Sequence, residues 1–443
     1  MRKICLTLPT NRACAPMVTA LGAEAAHAAA HFGVEVHLLV LDSSGPDAFA
    51  AHARAARALT EVPGVVVHHL DEAAQRAFLR QVVERSGLPK GELLLDLMLP
   101  ARLSYGACTN RAFLIAAALG CDSVHRRDSD SSYQVLDGET VFPVHHELTS
   151  LGRRAGDAAQ GVTETALDPA HADKPVVLVG SSFIGELSVD IGEILALDPA
   201  VYHDVVSLWA PAAWPQEEKR ALVEESFKGA GTEPFTGDRA VLTLVDPMRV
   251  DMCNIAFHQV HERVPLPPAT DTIGSDYFLL HVVYNGTLPG VLHNRNIVNF
   301  YTGERRTDPG FHAYQTRFTK FFLSMLYLNH VYAGLARAGA SLLDERYGVR
   351  AARVAELVRA STRLDTAENE DRLDVIERSY RKLGGRYAEF AAALPARRRR
   401  LIDEARSDME DFALLIDAWG ALVGASAGTD VPRLEPRAPR QER

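Results

Sequence analysis

Four short apolar runs, each followed or preceded by a helix-forming stretch, constrain this chain most. They are Ile4–Leu8, Val34–Leu41, Gly64–His68 and the segment Cys121–His125 that leads to Asp128. Between them Ala15–His31, Asp47–Leu59, Asp71–Ser86 and Tyr105–Leu119 read as helices, with Gly33 as a stop. Strands separated by helices need crossover connections, which predicts a mostly parallel sheet with helices on both faces. In such open sheets ligands bind beyond the carboxyl ends of the strands. Three polar clusters fall at those ends: Pro9-Thr10-Asn11-Arg12, Asp42-Ser43-Ser44 and Asp128-Ser129-Asp130.

The last of these carries chemistry. Two carboxylates one residue apart at the end of a strand suit a hard divalent cation, Mg²⁺ or Mn²⁺, which takes oxygen ligands and keeps phosphate in its shell. A metal there implies a nucleoside diphosphate. The alternative is a solvated turn in which Ser129 and Ser131 bond locally. Composition narrows the field. A formal net charge of −10 argues against a nucleic-acid partner. The five cysteines form no CxxC pair and fit a reducing cytoplasm. The first residues show no cationic region with an apolar core, so no secretory leader is expected. No run of 18 or more apolar residues predicts a membrane span.

Downstream, Lys174–Gly180 and Ala240–Val245 read as strands, and Gly180-Ser181-Ser182 follows the first without the Gly-Lys-Ser/Thr of a P-loop. Asp251–Arg263 reads as helical, and Asp276–Tyr284 starts another helix. His145-His146-Glu147 lacks zinc-protease spacing and reads as structural. From Asp308 the chain turns helical: Tyr314, Phe318, Phe321, Met325, Leu328 and Tyr332 recur every three or four residues, as do Met409, Phe412, Leu415 and Trp419. These stripes read as core packing. Arg397–Arg400, just after Pro395, reads as a solvated face near a helix start. Residues 427–443 are rich in Pro and Arg and read as a disordered tail. The expected organisation is 1–306 as an α/β unit, with halves 1–130 and 175–306, then 307–426 as a helical region.

Taken in order, these pieces resemble a GT-A-fold glycosyltransferase. Leu8-Pro9-Thr10-Asn11-Arg12 looks like the base-binding loop, Asp42 like the base- or ribose-contacting acid, and Asp128-Ser129-Asp130 like the metal triplet. Gly106, Asn110 and Arg111 lie on the helix leading to that triplet. Downstream, Asp251-Met252-Cys253-Asn254, Gly274-Ser275-Asp276-Tyr277 and Leu288–His293 resemble the acceptor half of family-two-like and mannosylglycerate-synthase-like transferases. The usual acidic pair is Ser275-Asp276 here, so only Asp276 carries a carboxylate.

The resemblance implies a GT-A-like (Rossmann-like) fold and a metal-dependent transfer of sugar from a UDP- or GDP-linked donor to a small soluble acceptor. Asp276 is expected to act as base or to orient the acceptor. Asp128 and Asp130, with His293, would hold the cation. Pro9, Thr10, Asn11, Arg12, Asp42, Arg111, Arg127, Asp128 and Ser129 would bind the nucleotide sugar. Gly180, Ser181, Ser182 and Asn254 would line the acceptor pocket, and Arg295, Arg305 and Arg306 would form a lid over the phosphates. The C-terminal helices offer a surface for a homodimer. Two other readings compete: a sugar-phosphate nucleotidyltransferase, disfavoured because Leu8–Arg12 has no Gly, and a non-catalytic helical scaffold built on residues 309–425.

Overall fold

The computed structural model describes residues 1–186, 191–300, 302–303 and 307–434. Its centre is a nine-stranded sheet. In chain order the strands are β1 (Lys3–Thr10), β2 (Glu35–Asp42), β3 (Val65–Leu70), β4 (Ser123–Arg127), β5 (Glu164–Thr165), β6 (Leu178–Gly180), β7 (Ala240–Thr243), β8 (Asn254–His258) and β9 (Gly290–His293). They lie in the order β3-β2-β1-β4-β8-β6-β9-β7-β5. The first four run parallel, with Thr10 beside Asp42 and Thr7 beside Arg126. β8 runs antiparallel between β4 and β6.

Alternation along β1 explains why both faces are covered. Ile4, Leu6 and Leu8 pack with the helix Ala15–Phe32 on one side, while Cys5 joins the core under the helices Glu72–Ser86 and Tyr105–Leu119 on the other. The helix Tyr105–Leu119 starts where Ser104 Oγ accepts the Ala107 amide at 3.1 Å. Gly106 is required by close approach: a Cβ there would lie 1.9 Å from the Pro267 carbonyl oxygen. Four positions further on, Asn110 exchanges two 2.8 Å bonds with the backbone of Leu266. This pins the helix to the loop carrying Pro265–Pro268.

Within the segment read as a helix over Asp251–Arg263, Asn254–His258 is strand. Asn254–Phe257 are buried on both faces of the sheet, so the two-residue alternation that marks an exposed strand is absent. Only Val260–Arg263 is helical. The helical region comprises Asp308–Ala338, Ala351–Ser361, Ala367–Leu383 and Gly385–Ser426. Pro395 lies inside the last of these and does not precede its start. Arg398 bonds Glu370 and Asp374 of the neighbouring helix, so the arginine run is not purely a solvated face.

The aromatic stripes pack inward. Phe318, Phe322, Phe412 and Trp419 belong to one continuous core with Leu39, Leu41 and Phe113 of the α/β part. The boundary at 306 is therefore no break in packing. The tail expected to be disordered, 427–443, is placed over its first part: Leu434 donates to the Val67 carbonyl at 2.9 Å, and Thr429 is buried; residues 435–443 lie outside the described residues. No helix among the described residues is long and apolar enough to cross a membrane.

Candidate functional site

The carboxyl ends of β1, β2, β3 and β4 open on a polar cavity. Strand order reverses direction about β1, which has β2 on one side and β4 on the other; this is the crevice where such sheets bind ligands. Pro9, Thr10, Asn11, Arg12, Arg111, Asp128, Ser129 and Asp130 all line it, together with the first turn of the helix Tyr105–Leu119. The structure thus brings together most of the residues expected to meet a nucleotide. A second cavity lies on the other side of Asp128 and Asp130. The two share Tyr105, Arg126, Asp128 and Asp130 as a common wall.

That wall is held by arginines. Arg12 Nη1 donates to Asp130 Oδ2 at 2.6 Å. Arg126 donates from Nη1 to Asp276 Oδ2 at 2.7 Å and from Nη2 to Asp128 Oδ1 at 3.0 Å. Its Nε is buried with no hydrogen-bond partner among the described residues. Burial opposes the Arg126 charge, and Asp128 and Asp276 more than offset it, so the guanidinium stays protonated. Asp128 is pushed above the usual carboxylate range, first by burial and then by Asp130 and Asp276, against the pull of Arg126. Asp128 and Asp130, the pair expected to hold a divalent cation, are thus each engaged by an arginine, and the cluster of ligand-type side chains close enough for an ion among the described residues is a different one.

Arg111 is the second distinctive group. It is 6% exposed, and its Nε and Nη1 donate to Gln75 Oε1 at 2.7 Å and to the Met98 carbonyl at 2.6 Å. Both partners are neutral. Burial lowers its pKa, with Cys108 and Glu72 pulling weakly the other way. The side chain places a positive charge without a contacting carboxylate on the cavity lining.

Several expected site residues lie elsewhere. Arg127 is fully buried on the opposite face of β4 from Arg126, where Glu24 accepts from Nη2 at 2.7 Å and Glu147 at 3.0 Å. His125 completes the cluster by donating from Nδ1 to Glu147 at 2.7 Å. Arg127 therefore cannot reach a diphosphate. His293 lines neither cavity. Its ring stacks on His146 at 5.4 Å, its Nδ1 accepts the Arg295 amide at 3.2 Å, and burial lowers its pKa well below the usual value. It does not join Asp128 and Asp130. Arg295 is spent on Asp238, at 2.6 and 2.8 Å, and on the Phe142 carbonyl. Arg305 and Arg306 lie outside the described residues.

Asp42 is also turned away from the polar cavity, which Leu41 and Ser43 line instead. It is 1% exposed and accepts from His52 Nδ1 at 2.7 Å, His69 Nε2 at 2.8 Å and the Ser44 amide at 2.9 Å. Asp42, His52 and His69 have ligand atoms within 4.8 Å of one another, a set that would suit a transition metal. The tautomer argues otherwise. The Cys14 amide donates to His52 Nε2 at 2.8 Å, so the ring proton sits on Nδ1 and no lone pair remains for an ion. The network ties the end of β2 to the Thr10–Cys14 loop.

Gly180, Ser181, Ser182 and Asn254, expected to line an acceptor pocket, do not line the second cavity; they brace it. Asn254 Nδ2 donates to the Arg295 carbonyl at 2.9 Å and the Ser182 carbonyl at 3.3 Å. Ser182 donates its hydroxyl to Asp251, as does Tyr277. Asp276 does line the cavity, paired with Arg126. The sequence reading missed Arg126, Tyr105 and Asp251, and it missed that part of the aromatic stripe faces this space. Tyr314, Phe321, Met325, Leu328 and Tyr332 line it with Trp209 and Phe227. The parity of β4 was the available signal: Arg126 shares a face with Val124, and Arg127 with His125.

Among solved structures, a mycobacterial protein aligns at 15% identity over 75% of each chain with a TM-score of 0.34, a likeness too weak to carry an argument. No curated protein matches the sequence. The family described as "Family of unknown function (DUF6271)" matches residues 2–435, and the chain belongs to that family.

Proposed function

We propose that this protein is a metal-dependent glycosyltransferase on a GT-A-like plan, moving a sugar from a UDP- or GDP-linked donor to a small acceptor. The observation that carries the reading is the pair of cavities meeting at one charged wall. The polar cavity has Arg12 and Arg111 on its lining and the N-terminal turn of a 15-residue helix beside it, features that favour an anion. The other cavity is walled by aromatic and methionine side chains. Group transfer needs a donor and an acceptor held on either side of the reacting bond.

In this reading Thr10, Asn11 and Arg12 border the nucleotide, and Arg111 supplies charge to the diphosphate. A divalent cation held by Asp128 and Asp130 would neutralise charge on the departing nucleoside diphosphate. Asp276 acts as a positioning residue: its ion pair with Arg126 orients that guanidinium at the wall.

The test is a thermal-shift titration of the full chain with UDP and GDP, with and without Mn²⁺. One diphosphate should raise the melting temperature in a Mn²⁺-dependent way. Asp130→Asn should remove the metal dependence, and Arg111→Gln should weaken binding about tenfold or more, the scale of a lost charge-assisted contact. Absence of any shift, or a shift indifferent to both variants, overturns the proposal.

A further inference from the structure

We propose that the aromatic cavity takes a small ring-bearing amine in its protonated form, with the ammonium held at Asp251. The inference deepens the transferase reading, because it names the acceptor class, in which the ammonium anchors the molecule and, having no lone pair, leaves another group to take the sugar; its binding test stands apart from that reading.

The walls come from separate segments. Trp209 packs against Phe227 and Phe321 with ring centroids 5.3 and 5.2 Å apart, and Tyr332 stacks on His281 at 3.6 Å. All five side chains line the cavity. Flat apolar surfaces of this extent favour a ring. A polyhydroxylated acceptor could pair its hydroxyls along the wall of Arg126, Asp128, Asp130 and Asp276, but those set against the aromatic faces would be left unpaired, at the full cost of their desolvation.

The charge inside the cavity supplies the second half of the argument. Asp251 accepts from two neutral hydroxyls, those of Ser182 and Tyr277, and forms no ion pair among the described residues. The cations nearby are committed elsewhere. Arg126 serves Asp128 and Asp276, and Lys228 sits at the exposed rim with Glu225 at 3.4 Å. A half-buried carboxylate that faces this cavity beside other acids and without a counter-charge of its own is costly, and a ligand cation relieves that cost. Aromatic faces add their own attraction for an ammonium. A neutral alcohol would fill the space and leave the charge uncompensated; an anion would be repelled.

The experiment measures binding of benzylamine, 2-phenylethylamine and tryptamine to the full chain near neutral pH, each against its matching alcohol, by calorimetry. At least one amine should bind about tenfold or more tightly than its alcohol. Asp251→Asn should erase that preference while alcohol binding stays within about twofold. Tyr277→Phe, which keeps the charge, should retain it. If no amine in the panel binds, if amine and alcohol bind equally, or if the preference survives Asp251→Asn, the inference fails; the wild-type comparison decides this even where a variant does not fold. UDP and GDP are titrated with Mn²⁺ on the same samples. Nucleotide binding without amine preference leaves the transferase reading standing and removes this one, and amine preference with neither nucleotide bound does the reverse.

Discussion

At the residue scale, the two adjacent arginines that end β4 have opposite fates. Arg126 meets Asp128 and Asp276 at the cavity wall, whereas Arg127 is locked among Glu24, Glu147 and the core. Removing one partner of a buried ion pair strands the other charge. Arg127→Ala should therefore cost about 3–5 kcal/mol of stability in urea unfolding, whereas a ligand-binding arginine at the cavity edge would leave stability almost unchanged. The same cluster predicts an acid transition. Burial alone would raise the Glu147 pKa, but Arg127 and His125 overcome it and hold it at about 2 against an ordinary 4.5. A depressed folded pKa stabilises the native state above the unfolded value. That contribution should be lost as pH falls from about 4.5 toward about 2, and pH-dependent denaturation should show the loss blunted in Glu147→Gln.

At the scale of elements, the helix Tyr105–Leu119 is the hinge of the site, because it carries Arg111 and borders the polar cavity while its other contacts fix the Pro265–Pro268 loop. Gly106→Ala should push that loop away. The added methyl meets backbone rather than a flexible side chain, so a loss of about 1–3 kcal/mol is expected, together with weaker UDP binding in the same titration. Which parts of the site were legible follows from local physics. The loops after β1 and β4 announce themselves, since polar clusters after apolar runs at a parallel sheet edge have a fixed topological meaning. β8 did not, because a strand buried on both faces and a short helix have the same apolar signature. Asp42 misled for a different reason: a carboxylate at a strand end looks the same whether a ligand or two histidines satisfy it, and His52 and His69 come from distant positions in sequence. Asp251 and the aromatic lining were hidden because helical periodicity reports which face is apolar, not whether a cavity interrupts the packing there.

At the scale of the whole molecule, the α/β part and the C-terminal helices share one core. Trp419 Nε1 donates to the His261 carbonyl at 2.9 Å, and Lys320, fully buried, donates to the Thr270 carbonyl at 2.7 Å. The aromatic cavity itself takes walls from both parts. A chain ending at residue 306 should therefore lack a cooperative thermal transition, while the full chain should unfold as a single unit by calorimetry. Independent folding of 1–306 with nucleotide binding intact would contradict that. The aromatic faces of the helices pack inside the molecule.

The returning segment at 427–434 has a consequence of its own. β3 ends the parallel side of the sheet, and a bare strand there would offer its amides and carbonyls to any passing chain. Leu434 takes the Val67 carbonyl, and the Pro432 carbonyl accepts from His68. The protein thus shields its own adhesive margin with its last described residues, a built-in guard against strand-to-strand association.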